Sequence, residues 1–393
     1  MSGTKKTALL IGASFESVFS IKTAQSCGFF VVALDGNPNA QGLKYADQFF
    51  VVDISDYKKI CSLLSENKIE PSVVLPAPVG KILDVTAKIC DHFQLMGPSY
   101  SCVHKCTDKY LFHNELNNAG LRDAVCLLLA KNTQFDRNKL FFPSVLKPRF
   151  GSGSRDVRVI QSQTDLEKYI FNKLPFDEDM ILESFVKGSE FAYDALIVGN
   201  TVHSVSLKRK INTPLPYRQC TSYSICNDSA VISLVEEFFF KVCKLLGIKN
   251  SIIQSDLIVN DDGIFLIEMS PRPTGHYIYN VFNPKILNIN VIELFLKLSD
   301  QTQSQFSANQ KVHASINFFD LKAGTISLIP DFEKLKKEKI ISDYLCNLKV
   351  GDKIEYAVDG KTLIPRGYFI IEEKKDKERE LALSILNMFD IKQ

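Results

Sequence analysis

The chain has 393 residues, 45% of them hydrophobic and 23% charged, with a formal net charge of +2. That is the composition of an ordinary globular protein with room for two or three domains, and nothing in the balance argues for nucleic acid or an anionic membrane as main partner. Ten cysteines without regular spacing imply reduced thiols and no disulfide framework. The first apolar run, Thr7 to Ile11, is too short for a signal-peptide core or a membrane span, so a cytoplasmic protein is expected.

From Thr7 to about Gly97, short apolar runs alternate with amphipathic stretches. Strands are predicted at Ala8 to Gly12, Phe30 to Leu34, Phe49 to Val52 and Ser72 to Leu75, with helices between the first two and between the last two. This is a small βαβ, Rossmann-like unit. Gly12-Ala13-Ser14 opens a helix and could offer amides to an anion, and Asp35 stands where dinucleotide folds place a ribose-binding acid. The full GxGxxG fingerprint is missing, which favours a nucleotide-fold relic over a nicotinamide site.

A helix is predicted to begin near Pro98-Ser99 and to carry Asp108-Lys109, and an amphipathic segment then ends at Gly120. Cys102, Cys106 and His113 form the one cluster with metal-ligand spacing. The rival reading is a plain helix with inward thiols. Next, Val145-Leu146-Lys147-Pro148-Arg149-Phe150-Gly151-Ser152-Gly153-Ser154 and the residues to Val159 read as strand, glycine loop, strand. A Walker A loop would lead directly into a helix, whereas the next helix is expected only at the capping box Thr164-Asp165-Leu166-Glu167. The amides of Gly151, Ser152, Gly153 and Ser154 can fold over phosphates, with Lys147 adding a point charge.

The most informative stretch runs from Gln254 to Arg272. A three-residue loop Asp261-Asp262-Gly263 would close Asn260 against Ile264 and set Asp256 opposite Glu268 on one sheet face. Two facing carboxylates suggest a cation, and oxygen donors suit magnesium better than zinc. The rival is a solvated acidic strand. Residues 301–310 are polar and unpatterned and mark a linker. Beyond it, strands are expected at Val312 to Phe319, Lys353 to Ala357 and Gly367 to Ile371, with a closing helix from Glu378 to Phe389.

Taken together, Lys109, Lys147 with its glycine flap, Ile181-Leu182-Glu183-Ser184-Phe185-Val186, Gly188-Ser189-Glu190 to Asp194, Asp256 and Glu268-Met269-Ser270-Pro271-Arg272 resemble the ATP-grasp superfamily. Within it the chain looks most like the carboxylate-amine ligases. The resemblance implies an α/β ATP-grasp fold: an N-terminal Rossmann-like (preATP-grasp) domain over 1–97, a two-lobed ATP-binding core over 98–302 with a lid lobe at about 135–186, and a small C-terminal α+β domain over 303–393. It implies ATP and Mg2+ (or Mn2+) as cofactors. Lys109, Lys147 and the flap would contact phosphates, Glu183 and the Val186 backbone adenine, and Glu190 the ribose. Asp256, Glu268 and Ser270 would form the metal shell. Arg272 would clamp a carboxylate or acyl phosphate, one or more of Lys208, Arg209 and Lys210 would stabilise charge, and His276 is a candidate base. Partners would be a small carboxylate and an amine, with a homodimer left open.

Two residues depart from the family pattern: Ser270 stands where Asn is usual, and Gln254-Ser255-Asp256 where many members have His-x-Glu. The expected activity is amide formation through an acyl phosphate, releasing ADP and phosphate. Its rivals are carboxylation through carboxyphosphate and a nucleotide-binding regulatory protein without turnover.

Overall fold

Four parallel strands, in the order Gln48–Val51, Phe30–Asp35, Thr7–Ile11, Val73–Val74, form the first sheet. The structure is a computed structural model that describes residues 5–131, 136–170, 176–299, 312–372 and 377–392. The expected linker at 301–310 lies outside them. The two central strands are buried on both faces, which is why they read as unbroken apolar runs. One face packs against helices Ser17–Ser26 and Val291–Ser299, through Ile21, Ala24, Ile292 and Phe295. The other packs against Tyr57–Glu66 and Leu83–Phe93, through Ile60, Leu64, Val85 and Ile89. The Gly12 loop closes on itself: Ala13 N–H donates to Asp35 Oδ2 (2.7 Å) and Gly12 N–H to the Leu34 carbonyl (2.8 Å). Asp35 therefore braces a loop.

Helix Tyr100–Thr107 is capped by Ser99, and helix Lys109–Asn118 by Asp108. Cys102 and Cys106 face the apolar core, and the Cys102 thiol, with burial, pushes Cys106 well above its ordinary range. His113 lies in a different environment, beside Glu183. Among the described residues no group of three or more His, Cys, Asp or Glu is placed to hold a metal, so the thiol cluster is core.

A small antiparallel sheet follows in the order Cys126–Leu129, Met180–Ser184, Ser144–Pro148, Arg158–Ile160. It starts before residue 135, because Cys126–Leu129 adds an edge strand that the sequence pattern did not reveal. Helix Gln163–Ile170 is capped by Ser162, whose hydroxyl accepts from Asp165 N–H while Asp165 accepts from Gln161 N–H. The box thus lies two residues earlier than expected at Thr164.

The large sheet has eight antiparallel strands: Gly263–Ser270, Ser251–Asn260, Ser189–Val198, Thr201–Asn212, Cys220–Ile225, Ala314–Phe318, Gly367–Glu372 and Asp343–Cys346. The last three come from the C-terminal segment, which extends the same sheet. Helix Ser229–Leu246, started by the Asp228 side chain, lays Val235, Phe239, Val242 and Leu246 against Phe191, Tyr193, Ala195 and Leu257 on one face. Strand alternation then turns Glu190, Asp194, Lys208, Lys210, Asp256 and Glu268 to the other face. A glycine is required at 188, where a Cβ would stand 2.4 Å from Ile258 Cγ2 and 2.7 Å from the Val259 carbonyl oxygen. The C-terminal strands Gly324–Leu328, Asp343–Cys346 and Asp390–Lys392 were not expected from the pattern. Each is short, and of all their residues only Ile326 is buried, so the apolar signal is weak.

Candidate functional site

Between the small sheet and the open face of the large one lies a cleft enclosing about 840 Å³, mouth included. Lys109, Lys147, Gly151, Ser152, Ser154, Glu183, Val186, Glu190, Lys210, Asp256 and Glu268 all line it.

At its inner end Lys109 Nζ donates to the Gly151 carbonyl (2.7 Å), so the first residue of one helix holds the glycine loop of another lobe. Burial pushes Lys109 below its usual range, with the Glu268 carboxylate opposing. Lys147 Nζ lies 2.5 Å from Glu183 Oε1, while Arg122 Nη2 (2.8 Å) and His113 Nε2 (3.0 Å) approach Glu183 Oε2. Burial alone would raise the Glu183 carboxyl. Lys147, His113 and Arg122 together hold it far below the carboxylate range. The Lys147 contact lacks hydrogen-bond geometry, and its buried ammonium has no hydrogen-bond partner among the described residues. Lys147 also lines the cleft, so its ammonium can meet an anion there as well as Glu183. The glycine loop turns through positive φ at Gly151 (136°), Gly153 (70°) and Ser154 (58°). Gly360 N–H donates to the Gly153 carbonyl (3.0 Å), fastening the flap to the C-terminal segment.

Asp256 and Glu268 are direct cross-strand partners. The loop is shorter than expected, with Asn260 opposite Gly263, and a bulge at Ile267 restores the register beyond it. Lys210 Nζ donates to Asp256 Oδ2 (2.5 Å). Burial raises Asp256 above its usual range, Lys210 lowers it and Glu268 raises it further. For Glu268, burial is outweighed by Lys109, Lys147 and Lys210, which hold it low. Ser270 follows two residues on, on the same face, opposite Gln254. Two facing carboxylates with a hydroxyl nearby are an all-oxygen donor set, which fits magnesium completed by phosphate and water. Elsewhere in the cleft Glu190 is engaged by Arg218 and by Asn212 Nδ2 (2.5 Å).

Of the basic run, only Lys210 reaches the cleft. Arg209 points to the opposite face, exposed, with Nη1 on Ser189 Oγ (3.1 Å) and its guanidinium over Phe191. Lys208 is wholly buried: its Nζ donates to Asp194 Oδ2 (2.5 Å) and Ser206 Oγ (2.6 Å). Both are thus corrected from charge-stabilising candidates to residues outside the cleft. Asp194 also accepts from Asn283 Nδ2 (3.2 Å) and Thr274 Oγ1, and Thr274 belongs to the segment that carries Arg272 and His276. Arg272 Nη1 donates to the Pro273 carbonyl (3.0 Å), while its Nε is buried without a hydrogen-bond partner. His276 has φ 58° and is pushed down to about 4 by burial, Arg272 and Lys210, so it is neutral at pH 7 and a weak base.

Sequence reasoning missed Arg122, His113 as a neighbour of Glu183, Arg218, and Glu16 at the start of helix Ser17–Ser26. Their partners lie 61, 70, 28 and 261 residues away, and no local pattern marks them.

A parallel-sheet N-terminal unit, a two-sheet cleft, a glycine flap and paired acids at the cleft floor define the ATP-grasp fold. The family model described as the ATP-grasp domain matches residues 106–276, and that stretch is an ATP-grasp domain. It is 22% identical over 361 residues to an L-arginine-specific L-amino acid ligase of Bacillus subtilis, covering 86% of this chain and 85% of that one. It is 24% identical over 258 residues to a carbamoyl-phosphate synthase of Methanobrevibacter smithii, covering 63% and 69%. An L-amino acid ligase structure from Bacillus licheniformis superposes with a TM-score of 0.81 at 18% identity over 99% of both chains. No helix among the described residues is long and apolar enough to cross a membrane.

Proposed function

We propose that this ATP-grasp ligase joins a carboxylate to an amine through an acyl phosphate. The carrying observation is the cleft floor, where Asp256 and Glu268 face each other within a ring of Lys109, Lys147 and Lys210. In this reading Lys109 and Lys147 bind phosphate oxygens, the Gly151–Ser154 flap closes over them, the Glu183–Val186 segment borders adenine and Glu190 takes the ribose. Asp256 and Glu268, with Ser270 nearby, would hold the magnesium ion, which supplies charge neutralisation on the phosphates.

A carboxylate oxygen of the substrate attacks the γ-phosphorus and ADP leaves with the bridging oxygen. The amine then attacks the acyl carbon, phosphate departs, and the amine proton passes to solvent or phosphate. The chain's own residues orient the carboxylate through Arg272, spread positive charge around the transferring group through Lys109, Lys147 and Lys210, and exclude water beneath the flap. Likeness to amino acid ligases over nearly the full length supports this reading. Likeness to a carbamoyl-phosphate synthase keeps carboxyphosphate chemistry as the second.

The test is release of ADP and phosphate from Mg-ATP with carboxylates and amines supplied singly, in pairs, and with bicarbonate. Release that requires both a carboxylate and an amine is the expected result. Dependence on bicarbonate in place of the carboxylate would replace the proposal with the second reading.

A further inference from the structure

The glycine flap is tied down by contacts of different kinds. Lys109 Nζ holds the Gly151 carbonyl (2.7 Å), but a phosphate in the cleft would claim the same ammonium. Arg155 grips Glu178 through both carboxylate oxygens (2.6 and 2.9 Å), yet Glu178 adjoins strand Met180–Ser184 of the flap's own lobe. Ser154 Oγ reaches the Arg218 carbonyl only at 3.5 Å. At Gly153 the tie is neutral and comes from the C-terminal segment: the carbonyl accepts from Gly360 N–H (3.0 Å), a bond that draws on no lysine.

The Gly360 amide is available for a local reason. Asp359 caps helix Gly360–Leu363: its Oδ1 accepts from Thr362 N–H (2.9 Å), and Thr362 Oγ1 accepts from Asp359 N–H (3.1 Å). This box satisfies the amides on either side and leaves the first helical amide, Gly360 N–H, without a partner in its own helix. The helix stands on a firm base. Leu363 is wholly buried, in one core with Ile278, Phe282 and Phe318, and the Tyr368 ring lies 4.8 Å from that of Tyr277. A Cβ placed on Gly360 would stand 3.4 Å from His276 Nε2 and 3.5 Å from the Gly153 carbonyl oxygen. The flap, the segment after Arg272 and the C-terminal helix therefore meet at this residue.

We propose that Gly360 is a positioning residue for phosphoryl transfer: its N–H holds the Gly153 carbonyl, and with it the flap amides, over the phosphate positions of the cleft. This rests on the ligase reading, in which the flap covers the phosphates of ATP. The donor is fixed to the large sheet and the acceptor sits at the tip of the small-sheet lobe, so the bond joins the two lobes across the cleft. The phosphate end of the site is then complete only with the C-terminal segment docked, and release of the bond would admit water beneath the flap.

Two substitutions at one position test it. Gly360→Pro deletes the N–H and sets a ring carbon against the Gly153 carbonyl, while proline suits the first position of a helix and Asp359 already has the extended backbone (φ −154°, ψ 178°) that a residue before proline needs. Gly360→Ala keeps the N–H, and its methyl meets its neighbours at ordinary contact distance. Full-length proteins with magnesium are titrated calorimetrically with β,γ-imido-ATP, and with AMP by competition against it. Gly360→Pro should weaken the triphosphate analogue about fivefold or more and leave AMP within about twofold of wild type, whereas Gly360→Ala should keep both within about twofold. The proposal fails if the proline variant binds the analogue like wild type, if it loses AMP to the same extent, or if alanine is as harmful as proline. Failure of wild type to bind the analogue would overturn the ligase reading as well, and that readout needs no variant. Hydrogen exchange on wild type decides even if the proline variant does not fold: the analogue should slow exchange of the Gly360 amide about fivefold or more, and unchanged exchange overturns the proposal.

Discussion

Asp256 and Glu268 stand side by side on adjacent strands, yet burial drives one carboxyl up while the surrounding lysines hold the other down. Their replacement should therefore shift the melting temperature of the metal-free protein unequally. Asp256→Asn should change it little, because the partner lost by Lys210 is offset by relief of the carboxylate's burial and of the Glu268 repulsion. Glu268→Gln should lower it, because Lys109, Lys147 and Lys210 lose their shared counter-charge. Both should lose turnover about 10²-fold or more, since a metal's charge stabilisation amounts to several kcal/mol and each 1.36 kcal/mol is tenfold. Calorimetry without metal and ADP release with magnesium check the two halves; equal melting shifts would contradict the charge assignment.

Lys147→Ala removes one of the two cations, Lys147 and Arg122, that flank the buried Glu183. Breaking a buried pair costs about 3–5 kcal/mol, so the variant should melt well below wild type and gain less stabilisation from added ATP. The pH sign follows from the depressed Glu183 carboxyl. Its stabilisation is complete above the unfolded value of about 4.3 and is lost as pH falls toward the folded one. Glu183→Gln should therefore be less stable than wild type at neutral pH, with the difference narrowing below about pH 4 in urea unfolding series.

How much of this the sequence displayed depends on range. The Asp256–Glu268 pairing was legible because both acids lie on one hairpin, although the inferred three-residue loop was wrong. The true loop is one residue shorter, and the bulge at Ile267 returns the register, so two local differences cancel at the site. The run Lys208-Arg209-Lys210 carried its own answer in the period of two, which turns Arg209 away from its neighbours, but the strand's partner was needed to say which face is the cleft. Arg122 and Glu16 were invisible. What makes each important is a partner supplied by another part of the chain, 61 and 261 residues away.

His276 should not shape the pH dependence of catalysis near neutrality. Its folded value of about 4 lies below the ordinary histidine value of about 6.5, so protonation is resisted by the native state. Stability linked to this residue is present above about pH 6.5 and is lost as pH falls toward 4. We expect His276→Gln to remove about 1–2 kcal/mol of the stability difference between pH 7 and pH 5. The acid limb of kcat/KM near pH 6.5 should be unaltered. A shift of that limb in the variant would restore the general-base assignment.

Lys208 is the sharper case, because a lysine beside a phosphate-binding cleft invites a catalytic role while its contacts indicate a structural one. Its ammonium is fully buried and satisfied by Asp194 and Ser206, and Asp194 in turn holds Thr274, two residues from both Arg272 and His276. Either single change, Asp194→Asn or Lys208→Met, strands one buried charge and should cost about 3–5 kcal/mol. The double change removes both charges and leaves neutral groups of similar volume. It should cost no more than either single change, giving a coupling energy of about 3 kcal/mol or more in the cycle. Turnover separates the roles. If Lys208 only anchors the segment bearing Arg272, the double variant should keep kcat within about tenfold of wild type, with the larger change in the KM of the carboxylate substrate. A folded double variant that binds ATP normally but has lost kcat by about 10³ would instead place Lys208 in direct service of the transferring phosphoryl group.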